Sequence, residues 1–93
     1  MRRAIRQGQD VSLGHCYPPR PCVTGSPNVF INSIPATTEG GYYPYHTCGD
    51  SGHDGYATST SDVFVNNKRI HRSGDPITCG DTAFNGSLNV FIN

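Results

Sequence analysis

Apolar and polar residues alternate in short bursts along the chain, and the clearest burst occurs three times. Asn28-Val29-Phe30-Ile31-Asn32 returns as Asp62-Val63-Phe64-Val65-Asn66 and as Asn89-Val90-Phe91-Ile92-Asn93. Each copy follows a short, mostly small and polar lead-in: Gly25-Ser26-Pro27, Ser59-Thr60-Ser61 and Gly86-Ser87-Leu88. A turn and the strand it feeds are therefore repeated together, and three such units predict approximate threefold symmetry. Val29/Ile31, Val63/Val65 and Val90/Ile92 share one face of a strand, with Phe30, Phe64 and Phe91 on the other. Apolar groups on both faces predict that both faces are covered.

No long stretch carries apolar residues at helical spacing without a Gly or Pro interruption, so the chain is predicted to be all-β. A second phrase repeats as well. Arg69-Ile70-His71-Arg72-Ser73-Gly74-Asp75 leads into Pro76-Ile77-Thr78-Cys79-Gly80, and Ala4-Ile5-Arg6-Gln7-Gly8-Gln9-Asp10 leads into Val11-Ser12-Leu13-Gly14-His15. The chain thus begins and ends in mid-repeat. Residues 1–93 are predicted to form one domain whose third repeat is closed by the N-terminal half-unit lying beside the C-terminal strand, which protects otherwise open edges. Asn32-Ser33 and Asn66-Asn67 are predicted turns, because Asn tolerates left-handed backbone. The segment from Glu39 to Ser61 does not repeat and reads as a long loop, of the kind that is usually functional or tethered by a ligand.

Composition sharpens the picture. Apolar residues are 34% of the 93, with eleven Gly and seven Pro, so the core is small and an additional staple is expected. Four Cys and four His supply material for a disulfide or a metal site. Seven basic residues balance seven acidic ones, which removes the electrostatic footprint of a nucleic-acid binder. No apolar run follows Met1-Arg2-Arg3, and none approaches the length of a membrane span. The chain is accordingly expected to be made in the cytoplasm, without a signal peptide, and to leave only through an export machine.

His15, Cys16, Cys22, His46, Cys48, His53, His71 and Cys79 lie largely in Gly-flanked turns, where the backbone can aim several donors at one point. Imidazole and thiolate are the usual tetrahedral zinc donors, and a closed site takes four. There are more candidates than places, and the spacing matches no zinc finger or ribbon. A Cys16–Cys22 disulfide is the alternative, against which a cytoplasmic origin argues. The neighbouring pairs His15/Cys16 and His46/Cys48 do not make a convincing nucleophile and base, and no enzymatic activity is expected.

Gly25-Ser26-Pro27-Asn28-Val29-Phe30-Ile31-Asn32, Arg72-Ser73-Gly74-Asp75-Pro76-Ile77-Thr78-Cys79-Gly80 and Gly86-Ser87-Leu88-Asn89-Val90-Phe91-Ile92 resemble successive motifs of PAAR-repeat proteins, over about Ala4 to Asn93. The signature itself survives as Pro35-Ala36-Thr37-Thr38, followed by Glu39-Gly40, and as Arg69-Ile70-His71-Arg72. The resemblance implies a small cone of three β-repeats with pseudo-threefold symmetry and a metal-stapled apex. Its base would sit on a trimeric β-helical spike, one copy per trimer, sharpening the spike of a phage tail or a type VI secretion system for piercing a target membrane. It also implies zinc, or less readily iron, held by three His and one Cys. Carried over motif by motif these are His15, His46, His53 and Cys79, with Cys48 as the next competitor and His71 ranked lower. Toxic effector domains are often fused to such proteins, and this chain is expected to carry none beyond Asn93. Two other readings predict different behaviour: a secreted carbohydrate- or receptor-binding β-module using Tyr42, Tyr43 and Tyr45, and a small metallohydrolase, which would need an open metal position.

Overall fold

The computed structural model describes residues 2–93. These form eight strands and no helix: β1 (Arg2–Arg3), β2 (Phe30–Ile31), β3 (Ile34–Pro35), β4 (Tyr42–Cys48), β5 (Ser51–Tyr56), β6 (Phe64–Val65), β7 (Lys68–Arg69) and β8 (Phe91–Ile92). Two-residue strands cannot stand alone, and their order comes from how the repeats interlock.

The repeated apolar phrases make three equivalent antiparallel pairs. Phe30 faces Pro35 in β2–β3, Phe64 faces Arg69 in β6–β7, and Phe91 faces Arg3 in β8–β1. Two of the pairs close through tight turns in which both central residues have positive φ: 54° and 68° at Asn32-Ser33, 52° and 68° at Asn66-Asn67. That is the hairpin turn whose twist matches the strands, and Asn is favoured there because it tolerates left-handed backbone. The third pair has no turn, because its strands, Arg2–Arg3 and Phe91–Ile92, are far apart in sequence.

Just beyond these pairs the three repeats lock into a ring. Ile5 donates its N–H to the His71 carbonyl at 3.2 Å, His71 to Thr37 at 2.9 Å, and Thr37 back to Ile5 at 3.0 Å. Bridges Ala4–Arg72, Arg6–Ala36 and Thr38–Ile70 run round the same circuit. A second circuit follows, in which Gly8, Gly40 and Gly74 each donate to the carbonyl of Cys22, Ala57 and Ala83, all at 2.8 Å. Below the first ring lies one apolar cluster, Ala4, Ala36, Val65, Ile70 and Ile92, joined by Val29, Ile31 and Val90. Above it lies another, Cys22, Tyr43, Ala57 and Ile77, with Cys79 packed against it.

The signature phrases make the turns that lead out of the ring. The Arg72 guanidinium grips Asp75 through Nε and Nη2 at 3.0 and 2.9 Å, while the Arg72 N–H also donates to Asp75 at 2.8 Å. Arg6 repeats the grip on Asp10. In the first repeat Thr38 and Gly41 replace this ion pair, yet the turn is kept: Gly40 has φ 85°, like Gly74 at 87°, and Gly41 donates to Thr38 at 3.0 Å. Glu39 accepts from the Arg69 N–H at 2.7 Å just as Ser73 accepts from the Arg3 N–H at 2.9 Å. The equivalent residue of the remaining repeat is Pro35, which has no N–H to satisfy.

Two expectations need correction. The Phe face of the repeated strands is not covered: Phe30, Phe64 and Phe91 are 54%, 54% and 43% exposed. Val29, Ile31, Val65, Val90 and Ile92 are enough to fill the small core, so the opposite face is left over. The segment 39–61 is also more than a loop. It contains the longest hairpin of the fold, β4–β5, with His46 opposite His53 and Cys48 opposite Ser51. Tyr and Thr supply strand propensity on β4, and Gly on β5 lets neighbouring groups approach closely: a Cβ at Gly55 would lie 2.8 Å from Ile77 Cγ2. The molecule measures 37 × 23 × 22 Å, one long axis and two nearly equal short ones. The three strand pairs form one end and the β4–β5 tip, with the 11–21 loop, the other.

Candidate metal centre at the apex

The tip brings together residues that are far apart in the chain. His46 and His53 are delivered by their cross-strand pairing in β4–β5. His15 comes from a tight turn in which its N–H donates to the Tyr17 carbonyl at 3.1 Å and Cys16 takes φ 64°. One donor atom from each of His15, His46 and His53 lies within 4.8 Å of the others. The rings of His15 and His46 are 5.7 Å apart, and that of His53 is 5.4 Å from His15 and 4.7 Å from His46.

Hydrogen bonding leaves Nε2 of His46 available, and His53 carries an orphan nitrogen. His46 Nδ1 is 2.8 Å from the Pro18 carbonyl, which fixes Nδ1–H as the donor and frees Nε2. His15 Nδ1 faces Asp81 Oδ2 at 3.6 Å. His53 Nε2 is buried without a hydrogen-bond partner. A buried imidazole nitrogen with nothing to bond to, beside two more imidazoles, suits a cation that accepts lone pairs. Desolvation, together with His46 and His15, pushes the His53 pKa below its ordinary value, so the ring is kept in the neutral form that binds metals. Tyr17 stacks on His53 at 3.9 Å and lies 4.7 and 4.9 Å from His15 and His46, walling one side of the cluster.

Asp81 braces the loop that carries His15. It is buried and accepts the N–H groups of Gly14 at 2.9 Å and Thr82 at 2.8 Å. Burial pushes its carboxyl up, but bonds from Thr82, Ser12 and Gly14 outweigh that and hold its pKa below the usual value. Sequence reasoning did not single out Asp81; its position directly after Cys79-Gly80 gave no sign that it would reach the opposite loop.

The remaining candidates are placed elsewhere. Cys79 is half-buried and is not one of the converging donors; it packs on the upper apolar cluster. A Cβ at Gly55, two residues along β5 from His53, would be 3.0 Å from Cys79 Cβ, so Cys79 packs against the strand that carries His53. Cys48 is bonded to Cys16 as a disulfide. The alternative pairing Cys16–Cys22 is therefore wrong: Cys22 is a buried free thiol on the far side of the Pro18–Pro21 stretch, with its Sγ 3.4 Å from the Thr24 carbonyl. His71 is wholly buried at the first ring, where Nδ1 is 2.7 Å from the Thr58 carbonyl and Nε2 3.0 Å from the Tyr43 hydroxyl. Its nitrogens are committed, and it is no part of the apex. The three tyrosines also part company: Tyr43 is buried, Tyr42 bonds Asp54 at 2.8 Å, and Tyr45 is exposed over Gly52. They do not form one platform.

The PAAR motif matches residues 15–85. The chain is also 32% identical over 74 residues, 76% of its length, to the double-stranded DNA deaminase toxin A of Burkholderia cenocepacia (strain H111). It spans only 5% of that relative, so the similarity concerns a small part of the toxin. The threefold repeats, their closing rings and the motif match together place this chain in the PAAR-motif family.

Proposed function

We propose that this chain is the tip of an injection spike, seated by its broad end on a trimeric β-helical spike protein and pointed at a target membrane. The observation that carries this reading is the threefold-related set of exposed aromatic residues, Phe30, Phe64 and Phe91. Arg69 lies over Phe64 at 4.8 Å and Arg3 over Phe91 at 5.2 Å. Three equivalent apolar patches on one chain match three equivalent spike chains, so one copy serves one trimer. The spike would belong to a phage tail or a type VI secretion system, with the tip in brief contact with the membrane as it passes. The toxin relative fits a delivery role, and its deaminase chemistry is not assigned to this chain.

At the apex, His15, His46 and His53 would hold a zinc ion, with Cys79 as the fourth donor; iron suits the set less well. The ion would supply cross-linking rather than chemistry, since four protein ligands leave no open position. The buried, partnerless Nε2 of His53 supports this.

Native mass spectrometry of the chain with the trimeric spike protein made beside it tests the assembly. A complex of three spike chains and one copy of this chain is expected, and Phe30→Ser, Phe64→Ser, Phe91→Ser together should abolish it while leaving the fold intact. A complex containing three copies, or none, would overturn the reading.

A further inference from the structure

The two segments that deliver His15 and His46 also carry the disulfide. Cys16 directly follows His15, and Cys48 stands two residues beyond His46 on β4, hence on the same face of the strand. The Cα atoms of the two cysteines are 5.5 Å apart. Cys16 holds φ 64°, a left-handed backbone that residues with a β-carbon rarely adopt. From this turn the Cys16 sulfur bonds Cys48 on β4. The bond is open to small reagents, because Cys16 is exposed and Cys48 only half-buried.

We propose that Cys16 and Cys48 are a second, redox-controlled donor pair of the apex. In the reduced chain their thiolates join His15 and His46, and the tip takes a soft divalent ion such as zinc more tightly than the disulfide form does. This rests on the reading of the apex as a metal site. Two thiolates on one zinc ion stand about 3.8 Å apart, given bonds of roughly 2.3 Å at the tetrahedral angle. Two sulfurs that are bonded in the oxidised chain reach that spacing by side-chain rotation. Together with His15 and His46 they make a closed set of four, softer than three imidazoles and one thiolate, and softness selects zinc over iron.

The exchange balances with a dithiol as reductant. A dithiol reductant gives up two electrons and two protons, its own sulfurs joining as a disulfide. The Cys16–Cys48 bond breaks and each sulfur takes one proton. Binding of the ion releases those protons to water, because thiolate is the ligand. In the reverse direction a small-molecule disulfide oxidises the pair, and the ion is left on imidazoles and Cys79.

The test compares the full-length chain in its oxidised and reduced forms, each first stripped of metal. Zinc affinity is read by competition with a chromophoric chelator. In parallel, alkylation of each cysteine by iodoacetamide is followed by mass spectrometry with and without zinc. The expected result is at least a tenfold tighter zinc complex in the reduced form, with zinc slowing alkylation of both Cys16 and Cys48. Cobalt(II) as a spectroscopic probe should show sulfur-to-metal absorbance in a Cys79→Ser chain when reduced and lose it when oxidised. Equal affinity in the two forms with Cys16 and Cys48 unprotected would overturn the proposal and leave the His15, His46, His53 site standing. Absence of zinc binding in either form would overturn both.

Discussion

His71 sits where the three repeats meet, neutral, with the Thr58 carbonyl accepting from one nitrogen and the Tyr43 hydroxyl donating to the other. Desolvation is the main cause that lowers its pKa below 6.5, aided by Arg72 and opposed by the Thr58 carbonyl and by Asp75 at 3.9 Å. The unfolded chain would take up this proton near 6.5 while the folded chain refuses it, so the unfolded state binds more protons below that point. Stability from His71 is therefore complete above about pH 6.5 and declines on acidification, at up to about 1.4 kcal/mol per pH unit. Denaturant unfolding at pH 7.5 and 5.5, at fixed metal content, should show a smaller drop for His71→Gln than for the parent. Tyr43→Phe removes the hydroxyl that donates to His71 Nε2 and should cost about 1–3 kcal/mol, since a buried acceptor is left unpaired. The role of His71 was only half legible in the sequence. Its place in a repeated phrase ranked it below the apex histidines, but nothing in the spacing revealed that a tyrosine from the non-repeating segment would meet it. Asp81 and the Cys16–Cys48 bond were hidden for the same reason: partners distant in the chain become neighbours only once the rings have closed.

The short hairpins were legible because their turn chemistry is local. Asn32-Ser33 and Asn66-Asn67 both adopt left-handed backbone, and Asn states that preference openly. Ser33 is the poorer fit at φ 68°. Ser33→Gly should stabilise the fold by up to about 1 kcal/mol, measurable as a raised denaturation midpoint. The β4–β5 hairpin was read as a loop because Gly52, Gly55 and Pro44 mimic breakers, whereas here the glycines make room for neighbours. Gly55→Ala tests this. Its new methyl group would press on Ile77 Cγ2 at 2.8 Å and on the Cys79 backbone nitrogen at 3.1 Å. Backbone cannot swing aside, so a loss of about 1–3 kcal/mol is expected, together with weaker metal retention if Cys79 is a ligand. The threefold phrases themselves were visible as repeats, and the all-β architecture followed from the lack of any uninterrupted helical spacing. What covers the Phe face was not visible, because an apolar residue in a strand looks the same whether its partner is in the same chain or another.

The whole molecule is two thin apolar clusters separated by hydrogen-bonded rings, with the metal-competent triad above. Such a body has little hydrophobic reserve, and stripping metal from the apex should lower the melting temperature markedly. Calorimetry before and after chelation, at one fixed redox state, measures this. An unchanged transition would mean that the rings and the disulfide suffice. The rings also carry a consequence for synthesis. Arg2 and Arg3 pair with Ile92 and Phe91, and Ile5 completes a circuit whose other members are Thr37 and His71. A growing chain can therefore join the repeats at 30–35 and 64–69 early, but the Arg2–Arg3 strand waits until residues 91 and 92 have been translated. Contacts so distant in sequence are slow to form. A nascent chain stalled before residue 91 would leave Arg2–Arg3 unpaired, an exposed edge open to a protease or a chaperone.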